Sequence, residues 1–293
     1  MNFADFGMDT ASLAGTLERR LEVIAAAGFG QVMISAADVA GHPGGSAAGA
    51  RAVRKSGLRV TGFEALRDFE GLDGQLHRYK IDVAKSMLAV CGEVGGDLLL
   101  VEATSSTHAT TDIERTVDDL NKLAVLAIPL GIRIAYKPRL GSRTAANLAA
   151  GSDIMFRADC PNLGLAVDSF DLLVARTPLE DIEALDPQQI FLVQLSDFMW
   201  NAIRSAAEQH ATATHFRVFP GEGAHSEELA NLVRRLDKIG YGGDYSFDVY
   251  NDDYLQMPAE TVADRARRSS EWLGETVLRR ALPVPNVARL RQA

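Results

Sequence analysis

Short apolar runs alternate with longer amphipathic segments along most of the chain. Runs such as QVMIS (Gln31 to Ser35) and LGLAVD (Leu163 to Asp168) have the length of about four to eight residues that is typical of buried strands. Between such runs, as in Gly74 to Val94, apolar residues recur at helical spacing. This alternation predicts parallel strands that are joined by helices.

Eight strands are predicted from this pattern: Phe3 to Met8, Gln31 to Ser35, Arg59 to Phe63, Asp97 to Glu102, Ile132 to Lys137, Leu163 to Asp168, Gln189 to Leu195, and Asp244 to Asp248. The predicted helices are Ser12 to Ala27, Ala47 to Ser56, Gly74 to Val94, Asp112 to Leu130, Arg143 to Arg157, Ser226 to Ile239, and Ala259 to Leu278. Eight strands, each followed by a helix or a helix-sized segment, are typical of an α/β fold, the (β/α)8 TIM barrel. We expect a single barrel domain over residues 1–280 and a C-terminal tail over residues 281–293.

The rival fold is a doubly wound open sheet, which would be expected to carry a glycine-rich phosphate-binding turn after an early strand. The chain contains no G-x-G-x-x-G or Walker sequence. The barrel is therefore the preferred prediction.

Charge excludes some partners. The formal net charge is -9 and the pI is about 5.2, so nucleic acid and anionic membranes would be repelled. No apolar run approaches the roughly 20 residues that span a bilayer, and no signal-peptide pattern begins the sequence. We expect a cytoplasmic protein whose partner is a small-molecule substrate.

Polar residues follow the last five predicted strands. They are Glu102, Lys137, Asp168, Gln194 and Asp248. Each could simply terminate its strand, but in a barrel the carboxyl ends of the strands gather the chemistry at one mouth. Five such residues on consecutive strands predict a functional site there.

Several segments resemble the xylose isomerase-like barrel family of sugar isomerases, epimerases and AP endonucleases, and within it the bacterial 3-dehydroshikimate dehydratases. They are RDFEG (Arg67 to Gly71), DLLLV (Asp97 to Val101), LGLAVDSF (Leu163 to Phe170), IFLVQLSD (Ile190 to Asp197), HFRVFPGEG (His215 to Gly223) and FDVYND (Phe247 to Asp252). They span most of the predicted barrel. The resemblance supports the fold more strongly than any one reaction, because this family performs many reactions on one frame.

The resemblance implies a divalent metal held by four strand-end ligands: Glu, Asp, Gln or His, and Glu. Asp168 and Gln194 match this set, Asp248 stands where a longer Glu is usual, and Lys137 stands where the first Glu is expected. An ammonium has no lone pair with which to bind a hard cation. Lys137 therefore disfavours a Mg, Mn, Co or Zn cofactor.

The hypothesis for Lys137 is that its ammonium takes the place of the metal and is balanced by Asp168 and Asp248. The two carboxylates favour the charged lysine, so an electrophilic anchor is preferred over a base or a Schiff-base nucleophile. Two alternatives remain open. A metal could bind to Glu102, Asp168, Gln194 and Asp248 if Lys137 turned away, or the ion pairs could belong to a retired site.

Other candidate residues come from the same resemblance. Asp171 stands where the dehydratases have the His of DSFH, which puts strict 3-dehydroshikimate dehydration in question. His215 and Arg217 resemble the loop after strand seven, where an arginine is expected to hold a substrate carboxylate. Arg67 and Glu70 lie in a loop that could close over the mouth, and the cations near it indicate an anionic substrate.

The expected function is that of a lyase or isomerase acting on a small polyhydroxylated carbonyl or carboxylate compound, of the sugar or 3-dehydroshikimate type. The reaction would proceed by proton abstraction next to a carbonyl. Catalytic candidates are Lys137, Asp168, Asp171 and Asp248, and substrate-binding candidates are Arg67, Glu70, Gln194, His215 and Arg217. The alternatives are a metal-dependent isomerase or epimerase and a catalytically silent ligand-binding barrel or subunit. A homo-oligomer is a family-level expectation.

Overall fold

The computed structural model of the protein describes residues 5–280, and in them eight parallel strands close into a barrel. The strands of these residues in order are β1 (Phe6–Asp9), β2 (Gln31–Ser35), β3 (Arg59–Arg67), β4 (Leu98–Glu102), β5 (Arg133–Lys137), β6 (Leu163–Asp168), β7 (Ile190–Leu195), β8 (Asp197–Phe198), β9 (Arg217–Val218) and β10 (Tyr245–Phe247). The barrel order is β1-β10-β7-β6-β5-β4-β3-β2, and β8 and β9 form a separate two-stranded sheet. The predicted fold class is therefore confirmed.

Ten α-helices lie in the described part of the chain. They are α1 (Leu17–Ala26), α2 (Ala36–Ala40), α3 (Ser46–Lys55), α4 (Gly74–Val94), α5 (Ile113–Ala127), α6 (Leu148–Ala158), α7 (Ser169–Val174), α8 (Ala206–His215), α9 (Ser226–Lys238) and α10 (Ala259–Glu271). None of the described helices is both long enough and apolar enough to cross a membrane.

Most predicted elements lie within a few residues of their expected bounds, and the bounds of α4 are the predicted ones, Gly74 and Val94. Two helices begin later than predicted because a side chain caps them. Thr16 accepts a hydrogen bond from the Arg19 amide, so α1 begins at Leu17 and not at Ser12. Asn147 accepts from the Ala150 amide, so α6 begins at Leu148 and the preceding residues form a loop.

Other boundaries differ as well. The first strand ends at Asp9 and not at Met8, and Phe3, where it was predicted to begin, lies outside the described residues. The last helix ends as an α-helix at Glu271 and continues as a π-helical turn, Trp272–Val277. The helices α2, α7 and α8 and the β8–β9 pair were not predicted. The predicted tail, residues 281–293, also lies outside the described residues.

The barrel interior contains an apolar layer below a polar one. Its apolar cluster is formed by Met33, Leu98, Leu100, Ala135, Ala166 and Leu192, all buried. Gly62 belongs to the same layer, because a Cβ there would lie 2.9 Å from side-chain atoms of Leu98 and Met33. Side chains two positions apart on a strand share a face. The residues two places after Met33, Gly62, Leu100, Ala135, Ala166 and Leu192 therefore point into the barrel mouth.

Candidate active site

The carboxyl ends of the eight barrel strands carry a layer of mostly polar residues. It comprises Asp9, Ser35, Glu64, Glu102, Lys137, Asp168, Gln194 and Asp248. Five of its members stand two positions after an apolar interior residue, namely Ser35, Glu102, Lys137, Asp168 and Gln194 after Met33, Leu100, Ala135, Ala166 and Leu192. Strand alternation therefore brings these side chains together at the mouth.

Lys137 lies at the centre of this layer and is 4% exposed. Its Nζ donates to Oε1 of Gln194 at 3.0 Å and to Oδ2 of Asp168 at 3.3 Å. The same nitrogen lies 3.5 Å from Oε1 of Glu102 and 3.6 Å from Oδ2 of Asp248. The structure thus brings together the five residues that the sequence placed at consecutive strand ends.

The environment of Lys137 keeps its side chain protonated. Burial alone would lower the lysine pKa, but the charges of Glu102, Asp168 and Asp248 outweigh burial and raise the pKa above its ordinary value. A neutral amine is needed both for a base and for Schiff-base formation. The electrostatics therefore favour the ammonium form, as the sequence analysis expects.

Arg217 is the second buried cation of the mouth. Its Nη1 donates to Oδ2 of Asp248 at 2.8 Å and lies 3.4 Å from Oδ2 of Asp168, and its Cζ lies 4.3 Å from the ring centroid of Phe170. Burial alone would raise the pKa of Asp168, but Arg217 and Lys137 outweigh it and lower that pKa. Both aspartates therefore have two cationic partners.

Glu102 also has several cationic partners. Arg67 donates to it through Nε at 2.8 Å and through Nη2 at 3.2 Å, and Arg139 donates through Nη1 at 2.8 Å. Burial would raise the pKa of Glu102, but Lys137 and Arg67 outweigh burial and lower it. Arg67, Glu102 and Lys137 are Cα partners across β3, β4 and β5, so the register of the sheet sets this row.

Two further acids of the mouth were missed by the sequence analysis. Asp9, Glu64 and Asp248 are all buried and each offers a carboxylate oxygen within 4.8 Å of the others. Burial, followed by the charge of Asp248, raises the pKa of Glu64 to about 8, and burial and Glu64 raise the pKa of Asp9. The available signal was their position, because Asp9 and Glu64 directly follow the first and third predicted strands.

Asp171 lies in the first turn of α7, one turn beyond Asp168. Burial and the charge of Asp168 raise its pKa to about 7. Asp168 and Asp171 both line a cavity of about 10 Å³, roughly the space that one water molecule needs. Asp171 is therefore a carboxyl group that titrates near neutrality beside the central ion pairs.

Glu70 and His215 lie apart from the Lys137 cluster. Glu70 is buried and accepts hydrogen bonds from the Thr104 amide at 2.6 Å and from the Tyr136 hydroxyl at 3.0 Å. His215 ends α8, and its Nδ1 lies 3.1 Å from Asp252 on the surface. Their predicted roles in substrate binding stay predictions.

The geometry allows a test of the divalent metal that the resemblance implies. Glu102, Asp168, Gln194 and Asp248 would be its ligands, and all four surround the Lys137 nitrogen at 3.0 to 3.6 Å. A cation at that point would displace the ammonium or lie against a like charge. These four residues with Lys137 in place therefore do not fit the metal.

Comparison with known proteins gives consistent results. The model of the family described as xylose isomerase-like TIM barrel matches residues 21–276. A 3-dehydroshikimate dehydratase of Pseudomonas aeruginosa is 34% identical over 91% of this chain and 41% of its own length. An inosose isomerase of Bacillus licheniformis is 25% identical over 73% of this chain and 75% of its own length.

Among solved structures, a xylose isomerase-like TIM barrel/4-hydroxyphenylpyruvate dioxygenase fusion protein superimposes with a TM-score of 0.86 at 31% identity. The match covers 94% of this chain and 44% of the fusion protein. The chain therefore spans less than half the length of the dehydratase and of the fusion protein that it resembles.

Proposed function

Because this chain belongs to the xylose isomerase-like TIM barrel family, we propose that it is a lyase or isomerase acting on a small polyhydroxylated carbonyl or carboxylate compound. The substrate would be of the sugar or 3-dehydroshikimate type, and the reaction would begin with proton abstraction next to a carbonyl. Relatives named as a dehydratase and as an inosose isomerase support this range of substrates.

The observation that carries the proposal is the protonated Lys137 at the centre of the strand ends. Three carboxylates and one amide oxygen surround its nitrogen, so its position is set by partners at the carboxyl ends of four different strands. An ammonium held in a buried site stabilises negative charge that develops on a neighbouring oxygen. Lys137 would therefore stabilise the enolate that forms when the substrate loses its proton.

Asp171 is the carboxylate best suited to accept that proton near neutral pH, because its pKa is about 7. The C–H bond would break, its electron pair would form the enolate, and the proton would pass to the carboxylate of Asp171. Asp168 and Asp248 are paired with Lys137 and Arg217, so they would orient the two cations.

The second half of the reaction depends on the substrate. In a lyase, the enolate electron pair would return to form a C=C bond while the β-hydroxyl departs with the proton from Asp171 as water. In an isomerase, the same proton would return to a different face or carbon. Gln194 and Arg217 would position the substrate from the mouth, and Arg67 at the end of β3, Glu70 after it and His215 at the end of α8 would act from the residues that surround it.

The test is turnover of 3-dehydroshikimate and inosose by the wild type and by Lys137→Ala, with Lys55→Ala at the exposed end of α3 as the control. Loss of an oxyanion-stabilising group is expected to lower kcat by about 100-fold or more. If Lys137→Ala turns over each accepted substrate at the wild-type rate, the lysine has no part in catalysis.

A second candidate function is a catalytically silent barrel that binds a ligand or acts as a subunit. It is favoured by the burial of the mouth, because Lys137, Asp168, Arg217 and Asp248 are at most 6% exposed and are paired with one another. Such a protein would show no turnover of either compound while one of them still raised its Tm.

A further inference from the structure

Helix α4 carries apolar residues on two of its faces. The first face packs into the core and consists of the buried residues Ala84, Leu88, Cys91 and Val94. The second, which we call the outer stripe, repeats at helical spacing and consists of Leu76, Tyr79, Val83, Met87 and Val90. Leu76 is 41% exposed and Tyr79 is 62% exposed, and the other three are half-buried at the edge of the core. The outer stripe therefore leaves apolar surface open to solvent along most of α4.

A groove runs beside the outer stripe. Its volume is about 350 Å³, and Phe63 of β3 lines it together with residues of the stripe. The residues on its far side are small, and they are Ala36 and Ala40 of α2 and Ser46 of α3. Because these side chains are short, α2 and α3 leave the outer stripe partly uncovered. The surface thus combines a projecting aromatic side chain, Tyr79, with an apolar groove that can receive such a side chain.

The outer stripe is symmetric along the sequence. Tyr79 and Met87 lie four positions on either side of Val83, and Leu76 and Val90 lie seven positions on either side of it. A two-fold axis at Val83 places a second α4 antiparallel to the first and brings each apolar position opposite another. Tyr79 then faces Met87 of the second copy, and Leu76 faces Val90. The same surface therefore covers itself, as an interface between two identical chains requires.

Two charged residues border the outer stripe on the same side, Asp82 and Lys85. Their side chains are 78% and 57% exposed, and Nζ of Lys85 lies 4.0 Å from Oδ1 of Asp82. In the antiparallel arrangement, Asp82 lies one residue, about 1.5 Å along the helix axis, from direct opposition to Lys85 of the second copy. The two-fold axis repeats this contact, so opposite charges meet twice at the edge of the interface.

We propose that the outer stripe and the groove beside it form the interface of a homodimer in which the two α4 helices are antiparallel about a two-fold axis at Val83. The partner is a second copy of this chain, because both the apolar positions and the order of Asp82 and Lys85 match their own reverse. Tyr79 is the anchor that enters the groove of the second copy. Since α4 packs on the outside of the barrel, this interface does not depend on the reaction proposed for the mouth.

Sedimentation equilibrium of the full chain over about 1 to 100 µM tests the dimer, because specific interfaces have micromolar or tighter dissociation constants. The mass of the wild type should approach twice 31.6 kDa. Tyr79→Glu places a charge in the apolar interface and should weaken dimerisation at least about 30-fold, the effect of losing a strong anchor. The matched control is Val125→Glu on α5, because Val125 is also 62% exposed, and it should dimerise as the wild type does.

Three outcomes contradict the proposal. A wild type that stays monomeric over the whole concentration range has no such interface. A Tyr79→Glu variant that dimerises as tightly as the wild type, or an equal loss in Val125→Glu, would place the interface on another surface. A monomeric wild type that binds the dye anilinonaphthalene sulfonate more strongly than Tyr79→Glu does would assign the outer stripe to a different occupant.

Charge reversal tests the antiparallel arrangement. Asp82→Lys brings like charges together at both contacts, and Lys85→Asp does the same with the opposite sign. Each variant should dimerise about 2- to 30-fold more weakly than the wild type, the effect expected for two exposed ion pairs. The double variant should regain the wild-type affinity.

A mixture of the two single variants gives the sharpest result. The heterodimer should form in preference to either homodimer, because each lysine of one chain then meets an aspartate of the other. Native mass spectrometry measures the proportions. Each chain keeps its own like-charged helix in the mixture, so an effect on folding alone would not produce this preference. Heterodimers and homodimers in statistical proportion would overturn the antiparallel arrangement.

Discussion

The Nζ of Lys137 lies 3.3 Å from Oδ2 of Asp168, and the two residues end the neighbouring strands β5 and β6. Asp168 in turn accepts from the Phe170 amide at 2.8 Å and lies 3.4 Å from Nη1 of Arg217. The pair is buried, so each charge depends on the other for compensation. This relationship makes the effects of substitutions at the mouth predictable.

Removal of the lysine charge should destabilise the fold. Lys137→Met removes the cation that Glu102, Asp168 and Asp248 share, and removing one partner of a buried ion pair typically costs about 3–5 kcal/mol. Urea unfolding at pH 7 measures this loss, with Lys55→Met as the control. Adding Asp168→Asn to Lys137→Met should recover part of the loss. A loss below about 1 kcal/mol for Lys137→Met would show that the lysine does not compensate buried carboxylates.

Glu64 gives the protein a pH dependence of defined sign. Its folded pKa is about 8 against an ordinary value of 4.5, because burial and Asp248 disfavour the carboxylate. The folded state therefore holds a proton that the unfolded state releases, and stability falls as pH rises from about 4.5 to about 8. Glu64→Gln removes this pH-dependent contribution to stability. Its stability relative to wild type should therefore rise by up to roughly 1.4 kcal/mol per pH unit across that window.

Urea unfolding of both proteins at pH 5, 6, 7 and 8 measures the Glu64 difference. The pKa values of Glu102 and Asp168 are lowered, so these two groups change the stability only below their ordinary pKa values, outside this window. A stability difference between Glu64→Gln and wild type that is the same at all four pH values would contradict the raised pKa.

The resemblance to the dehydratases implies a histidine at the position of Asp171. Asp171→His places an imidazole, whose ordinary pKa is about 6.5, at the position proposed for proton transfer. General-base catalysis is typically worth about 100-fold or more. If this position selects the reaction, 3-dehydroshikimate dehydration should increase by at least about 10-fold. The measurement is the rate of product formation, and a rate equal to that of Asp171→Asn would exclude the position from proton transfer.

The fold and five residues of the mouth could be predicted from the sequence, because both follow from the local spacing of apolar and polar residues. Apolar runs separated by helical patterns predicted the eight strands, and the positions at the strand ends identified Glu102, Lys137, Asp168, Gln194 and Asp248. The same rule also identifies Asp9 and Glu64, but it was applied only to the later strands. The clustering of Asp9 and Glu64 with Asp248 depends on closure of the barrel between β1 and β10.

Side-chain pairing could not be obtained from the sequence. Arg217 occurs in a motif associated with substrate binding, yet its guanidinium lies over Phe170 and between two aspartates. Glu70 occurs in a loop segment but is buried against Tyr136 and Thr104. These contacts join residues that are distant in the chain, and no local pattern specifies them.

The central claim is that the Lys137 ammonium takes the place of a metal, and metal content tests it most directly. Wild type and Lys137→Glu, purified without chelator and then equilibrated with Mn²⁺, would be analysed for bound metal per chain. The account predicts substoichiometric metal in the wild type and about one ion in Lys137→Glu. The substitution replaces the ammonium with a carboxylate, which together with Asp168, Gln194 and Asp248 supplies four oxygen ligands. One tightly bound divalent ion per wild-type chain would contradict it, and loss of that ion in Glu64→Gln would assign it to the Asp9, Glu64 and Asp248 cluster.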